Sequence, residues 1–159
     1  MSDLEPVRFE QGRPMLFTGI RRTHTFATMG HDIPRQWDDF LKLGTLPGQV
    51  GKLGYGAICG GDPNGQTMEY MCAVEVASFD AVPKELGRMR VPAARYAVFL
   101  HEGNVATIQQ SWQHIFSVWL PRSGLHSGNT PDFEAYDERL NGATGEGGVE
   151  MWLSVQSDT

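Results

Sequence analysis

Arg95-Tyr96-Ala97-Val98-Phe99-Leu100-His101, then Asn104, then Ile108, Trp112, Ile115 and Trp119: this stretch decides how the chain reads. Its first seven residues are rich in aromatic and branched side chains, the composition of a strand. Asn104 is a helix cap, because its side-chain oxygen can accept an otherwise orphaned backbone N–H. The four apolar residues that follow recur at spacings of four, three and four, which makes one stripe along a helix. Pro121 and Gly124 are the stop signals. Two more strands are predicted over residues 132–139 and 148–155, joined by Asn141-Gly142-Ala143-Thr144-Gly145-Glu146-Gly147. The order is strand, helix, strand, strand.

Working outward, the first half repeats that order. Residues 14–23 read as a strand. A short helix follows, with Asp32 as N-cap, Pro34 in the first turn, and Trp37, Phe40 and Leu41 at i, i+3 and i+4. Strands are predicted over residues 52–59 and 68–77, joined by Gly60-Gly61-Asp62-Pro63-Asn64-Gly65, a turn composition that supplies positive φ. Tyr70-Met71-Cys72-Ala73-Val74 lines up with Glu150-Met151-Trp152-Leu153-Ser154. The chain is therefore expected to be one domain, residues 1–159, of α+β class. Two pseudo-symmetric βαββ units, about 13–78 and 88–156, form an antiparallel sheet with two helices on one face and a ligand groove on the other. Residues 79–90 read as the linker.

Strand alternation then sorts the side chains. Val149, Met151 and Leu153 suit the helices, so Glu150, Trp152 and Ser154 point to the other face. Glu134 and Tyr136 share a face, as do Tyr70 and Cys72. Carboxylates mixed with aromatics on an uncovered face are the composition of a ligand groove. The expected lining is Glu134, Tyr136, Trp152, Tyr70, Cys72 and Glu150, with His101 at the groove mouth.

Composition narrows the chemistry. A 159-residue chain with 40% hydrophobic and 20% charged residues can bury a core without disulfides or a structural metal. Its net charge of −6 disfavours nonspecific nucleic-acid binding and suits a cationic ligand or a basic protein partner. No run approaches the ~20 apolar residues of a membrane helix, and the acidic start lacks the pattern of a signal peptide. A cytoplasmic protein with reduced, buried Cys59 and Cys72 is expected. The five histidines show no ligand spacing, so no metal site is predicted. There is no G-x-S-x-G elbow and no G-x-G-x-x-G order, so neither a serine hydrolase nor a dinucleotide site is supported, and no cofactor is expected.

Four segments of the second half stand in a specific order: Tyr96-Ala97-Val98-Phe99-Leu100-His101-Glu102-Gly103, Trp119-Leu120-Pro121-Arg122-Ser123-Gly124, Pro131-Asp132-Phe133-Glu134-Ala135-Tyr136 and Gly147-Gly148-Val149-Glu150-Met151-Trp152-Leu153. Each is weak alone. Together, over about 60 residues, they closely resemble the GyrI-like family, the effector-binding domain of bacterial transcription activators of the AraC type. The first half matches in its order of elements. The resemblance implies the fold above and a role in binding small molecules, often cationic, lipophilic and drug-like. It implies that Glu134 faces the groove, with Tyr136 beside it. It also implies two other roles within the family: hydrolysis of reactive cyclopropane-type natural products, here by Glu134 and Tyr136, and a gyrase-inhibitor-like module with a topoisomerase or a regulator as protein partner. The 13 or so residues before the first strand leave no room for a helix-turn-helix, so no direct nucleic-acid contact is expected.

The chemistry follows for a carboxylate on a groove floor. Burial raises its pKa, and an arriving cation relieves that cost. Tyr136, Trp152 and Tyr70 would hold the aromatic body of such a ligand, each cation–π contact giving about 0.5–2 kcal/mol.

Overall fold

A computed structural model describes residues 4–62, 64–137, 139–140 and 144–157. Pro63 and residues 141–143, parts of the two predicted turns, lie outside the described residues, as does Glu138 in the predicted strand 132–139. In chain order the elements are β1 (Arg8–Gly12), β2 (Met15–Thr25), α1 (Met29–Leu41), β3 (Gly54–Asp62), β4 (Thr67–Glu75), β5 (Gly87–Val91) and β6 (Ala94–Glu102). A 3₁₀ turn (Val105–Thr107) leads into α2 (Ile108–His114), a π-helical turn (Ile115–Trp119) and α3 (Leu120–Ser123), followed by β7 (His126–Ser127), β8 (Asp132–Tyr136) and β9 (Gly148–Gln156).

The chain divides into two compact units, residues 14–92 and residues 1–13 with 93–159. In the first, the antiparallel order is β5-β2-β4-β3. In the second it is β1-β6-β9-β8, with β7 added along β9. Each unit is thus a βαββ motif whose opening strand carries one extra strand on its outer edge. Those extra strands are exchanged. β1 directly precedes β2 in sequence but pairs with β6, and β5 directly precedes β6 but pairs with β2. The expected linker 79–90 is therefore partly sheet, and β1 makes a strand of residues placed before the fold.

In the unit of residues 14–92, α1 lies on the sheet face that carries Tyr70, Cys72 and Val74. Phe40 is buried there with Leu46, Val76 and Val82, and Trp37 packs against this cluster. The helix is also pegged by a polar group. Gln36 is fully buried and donates to the backbone oxygens of Ile20 (2.7 Å) and Tyr70 (2.9 Å), while its Oε1 lies 2.6 Å from His24 Nε2. β2 and β4 also approach closely: a Cβ on Gly19 would stand 1.8 Å from the Cys72 carbonyl oxygen. Three helix details differ from the sequence reading. Thr28, not Asp32, holds the N-cap position, Pro34 falls in the second turn, and Leu41 is 68% exposed. Asp32 instead faces His31 (3.2 Å), whose hydrogen bond holds its carboxyl below the usual value.

In the other unit the predicted stripe is borne out: Ile108, Trp112, Ile115 and Trp119 are all buried. Asn104 caps the entry, accepting from the Ala106 N–H at 2.9 Å. Pro121 does not stop the helix but lies inside α3. Gly124 stops it, in the left-handed region at φ 78° that lets the chain turn away. Phe116 and Val118, off the stripe, are exposed.

Gln36→Ala should lower stability by about 1–3 kcal/mol in urea unfolding, because it removes a buried group that serves three polar partners. A solvated, dispensable Gln36 would leave the midpoint unchanged.

Candidate functional site

The predicted residues separate onto different faces of their sheets. Register settles which. Glu134 pairs with Met151, and Met151 with Phe99, whose ring meets Trp119 of the helix edge-on at 5.0 Å. Glu134 therefore faces the helix, not an uncovered groove. It is 4% exposed, and its Oε2 accepts from Trp112 Nε1 at 2.9 Å while its Oε1 accepts from the Tyr136 hydroxyl at 2.6 Å. His101 is on the same side. Its Nδ1 lies 2.7 Å from Ser111 Oγ and its Nε2 2.9 Å from the Asn104 carbonyl, so it fastens the start of the helix rather than a groove mouth. Tyr70 and Cys72 likewise face α1, and the Tyr70 hydroxyl accepts from Trp37 Nε1 at 3.2 Å. These five residues are helix-facing, a correction to the expected groove. The alignment of Tyr70 with Glu150 is off by one in parity.

Glu150 and Trp152 do point away from the helix, as alternation predicts. There they meet a residue that sequence reasoning missed. Arg8, on β1, donates from Nη1 to Glu150 Oε2 and from Nη2 to Oε1, both at 3.0 Å. Its guanidinium carbon sits 5.5 Å from the Trp152 ring centre. The indole donates to Glu150 Oε1 at 3.1 Å and stacks on Phe133 at 5.3 Å, while Tyr96 meets it edge-on at 5.4 Å. Arg139 Nη2 approaches Glu150 Oε2 at 3.3 Å and is itself paired with Asp137. Burial pushes the Glu150 carboxyl up, but hydrogen bonds from Arg8, Trp152 and Arg139 and the charge of Arg8 hold it below its usual value. Its hydrogen bond to Glu150, and a second to Glu10, raise the pKa of Arg8. No local signal joins Arg8 to Glu150; only strand pairing does.

A second buried polar group begins β8. Asp132 Oδ1 accepts the Ser154 N–H at 2.8 Å, and Thr130 Oγ1 donates to Ser154 Oγ at 2.8 Å. The Tyr96 hydroxyl is buried beside them without a well-formed hydrogen bond among the described residues, and burial raises its pKa. Burial likewise pushes the Asp132 carboxyl up to about 7, against the opposing Ser154 N–H.

Other chemistry is thin. Burial pushes the Cys59 thiol up to about 11. Among the described residues no three His, Cys, Asp or Glu stand together as a metal site, and no helix is long and apolar enough to cross a membrane. A surface depression of about 310 Å³, lined by Leu120, Pro121, Gly124, Leu125, His126 and Ser127, contains none of the candidate residues.

The profile of the GyrI-like small molecule binding domain matches residues 5–156. The chain belongs to the GyrI-like family. A curated relative of this GyrI-like chain, the transcriptional regulator BrlR of Pseudomonas aeruginosa, is 41% identical over 128 residues, covering 79% of the chain and 47% of BrlR. The chain thus spans about half the length of that relative. Among solved structures, SAV2435 bound to tetraphenylphosphonium superposes with a TM-score of 0.69 at 18% identity, over 94% of this chain and 93% of that one. An integron cassette protein from the mobile metagenome of Vibrio cholerae gives 0.68 at 16% identity, over 97% and 98%. These likenesses establish the α+β fold of GyrI-like domains for this chain.

Asp132 gives the GyrI-like domain a pH signature. Its folded pKa lies above the unfolded value of about 3.9. Between roughly pH 4 and 7 the folded state holds a proton that the unfolded state has lost, so stability falls as pH rises through that window. Asp132→Asn keeps an acceptor for Ser154 N–H and should raise the melting temperature at pH 8 but not at pH 4. Equal effects at both pH values would contradict the assignment.

Proposed function

We propose that this GyrI-like domain binds lipophilic aromatic cations, with Glu150 supplying the charge and Trp152 the aromatic wall. One observation carries the reading: a cation already rests on that pair, held by two hydrogen bonds and by the indole face. Carboxylate and π-face act together because the indole N–H fixes the carboxylate. A cation–π contact contributes about 0.5–2 kcal/mol, and a cation that carries an N–H adds a charge-assisted hydrogen bond of about 1.5–3 kcal/mol. The flat aromatic surface of Trp152 accepts ligands of many outlines, which favours breadth over selectivity. The bound tetraphenylphosphonium of SAV2435 is a ligand of this chemical class on the same fold.

Glu134 and Tyr136 take another part. Glu134 accepts from Trp112 of the helix and from Tyr136. Their role in this reading is to seat the helix.

Titration calorimetry with tetraphenylphosphonium separates the two carboxylates. Glu150→Gln should weaken binding at least about tenfold, or about 1.4 kcal/mol. Glu134→Gln should instead lower the melting temperature and leave the affinity of the folded protein within about threefold, about 0.7 kcal/mol. Loss of binding in Glu134→Gln with none in Glu150→Gln would move the cation site to the helix face.

A further inference from the structure

We infer that the outer edge of β1 is a contact between two copies of this chain, paired antiparallel about a two-fold axis at Phe9. The inference does not depend on the ligand reading above.

The two exchanged strands both lie at an edge. Among the described strands β1 pairs only with β6, and β5 only with β2 within its unit. An open edge is a row of backbone donors and acceptors that templates another strand, and proteins guard such edges with charges, prolines or bulges. β5 is guarded. Arg88 and Arg90 flank its central residue, Met89, which is buried. Antiparallel pairing of two copies about Met89 sets Arg88 of one opposite Arg90 of the other, and like charges directly opposite destabilise a ladder.

β1 has the same layout with opposite signs. Arg8 and Glu10 flank Phe9. Two copies paired about Phe9 set Arg8 of one opposite Glu10 of the other, once on each side of the axis, so the edge is complementary to itself. Arg8 is held in place by its two bonds to Glu150. The Glu10 side chain is 40% exposed, so its carboxylate is open to a second cation. The alternate residues Val7, Phe9 and Gln11 are exposed, Val7 at 57% and Phe9 at 44%. Phe9 is held at the edge by its own chain, 6.4 Å from the Trp119 ring and 5.1 Å from the Arg95 guanidinium carbon. Pairing brings the two Phe9 rings together and sets Val7 opposite Gln11. From Arg8 to Gly12 the ladder to β6 runs without a bulge, so nothing turns the edge aside. Five residues a side make an interface smaller than the roughly 1,200 Å² of stable complexes, so the dimer is transient and concentration-dependent.

Two measurements on the full chain test this. In sedimentation equilibrium the wild-type mass should rise from 17.6 kDa toward twice that value as the chain approaches about 1 mM. Glu10→Arg sets arginine opposite arginine, as in β5, and should need at least about tenfold more protein for the same mass. Glu102→Arg makes the same change of charge at another exposed position and should match wild type. The register is read by disulfide trapping with diamide, using Val7→Cys and Gln11→Cys, both at exposed positions. In the paired dimer of either variant alone the new thiols lie four residues apart along the strands, about 13 Å. In a mixture they lie opposite each other at a Cα separation of about 5 Å, within disulfide reach. The mixture should therefore cross-link several-fold more than either variant alone, above the background that wild type gives. A wild type that stays at 17.6 kDa up to about 1 mM overturns the inference. So does a Glu10→Arg variant that associates as wild type does, or a single cysteine variant that cross-links as readily as the mixture.

Discussion

The indole of Trp112 reaches from the helix to a carboxylate on the sheet, and much of the unit of residues 1–13 and 93–159 depends on that bond. A buried polar group is tolerated only with partners, and Glu134 accepts from Trp112 and Tyr136. The bond fixes the rotation of α2 about its axis. It therefore fixes which parity of β8, β9 and β6 is covered. With Glu134, Met151 and Phe99 under the helix, Phe133, Trp152 and Val98 must face the other way. The unit of residues 14–92 uses the same device with different chemistry. Trp37 donates to the Tyr70 hydroxyl, and the neighbouring Gln36 bonds to backbone oxygens of β2 and β4.

Two carboxylates only sixteen positions apart thus have opposite fates. Glu134 is buried, accepts from Trp112 and Tyr136, and joins helix to sheet. Glu150 keeps a side toward two arginines and an indole, and stays ionised at a pKa below its usual value. At the second, an arginine lies over an aromatic face. The chain belongs to a family of small-molecule-binding domains.

The order of elements was legible because its signals are local: a strand composition at 95–101, a four-three-four stripe, a cap at Asn104. The short strands were not. Gly87-Arg88-Met89-Arg90-Val91 has no pattern to distinguish it from a linker, and it becomes a strand only because β2 offers an edge. Faces were legible where one parity was wholly apolar. Val149, Met151 and Leu153 left no choice, so Glu150 and Trp152 were placed correctly. Residues 133–136 offered a mixed strand, in which the apolar pair Phe133 and Ala135 turned out to lie away from the helix. Residues 70–74 are apolar in both parities, so alternation could not say which side α1 covers. Arg8 was out of reach for a different reason: its partner is 142 positions away, and nothing near it in sequence announces the pairing.

The exchange of β1 and β5 has a consequence for synthesis. Residues 14–92 are continuous and bring their own edge strand, so that unit can close while the chain is still emerging. β1 leaves the ribosome before β2, yet Arg8 pairs opposite Val98, about ninety residues later. At about 5–20 residues per second it waits several seconds as an unpaired strand. β9, which carries Glu150 and Trp152, comes later still. The strand that supplies the cation is thus made before its partners and is among the last to be seated.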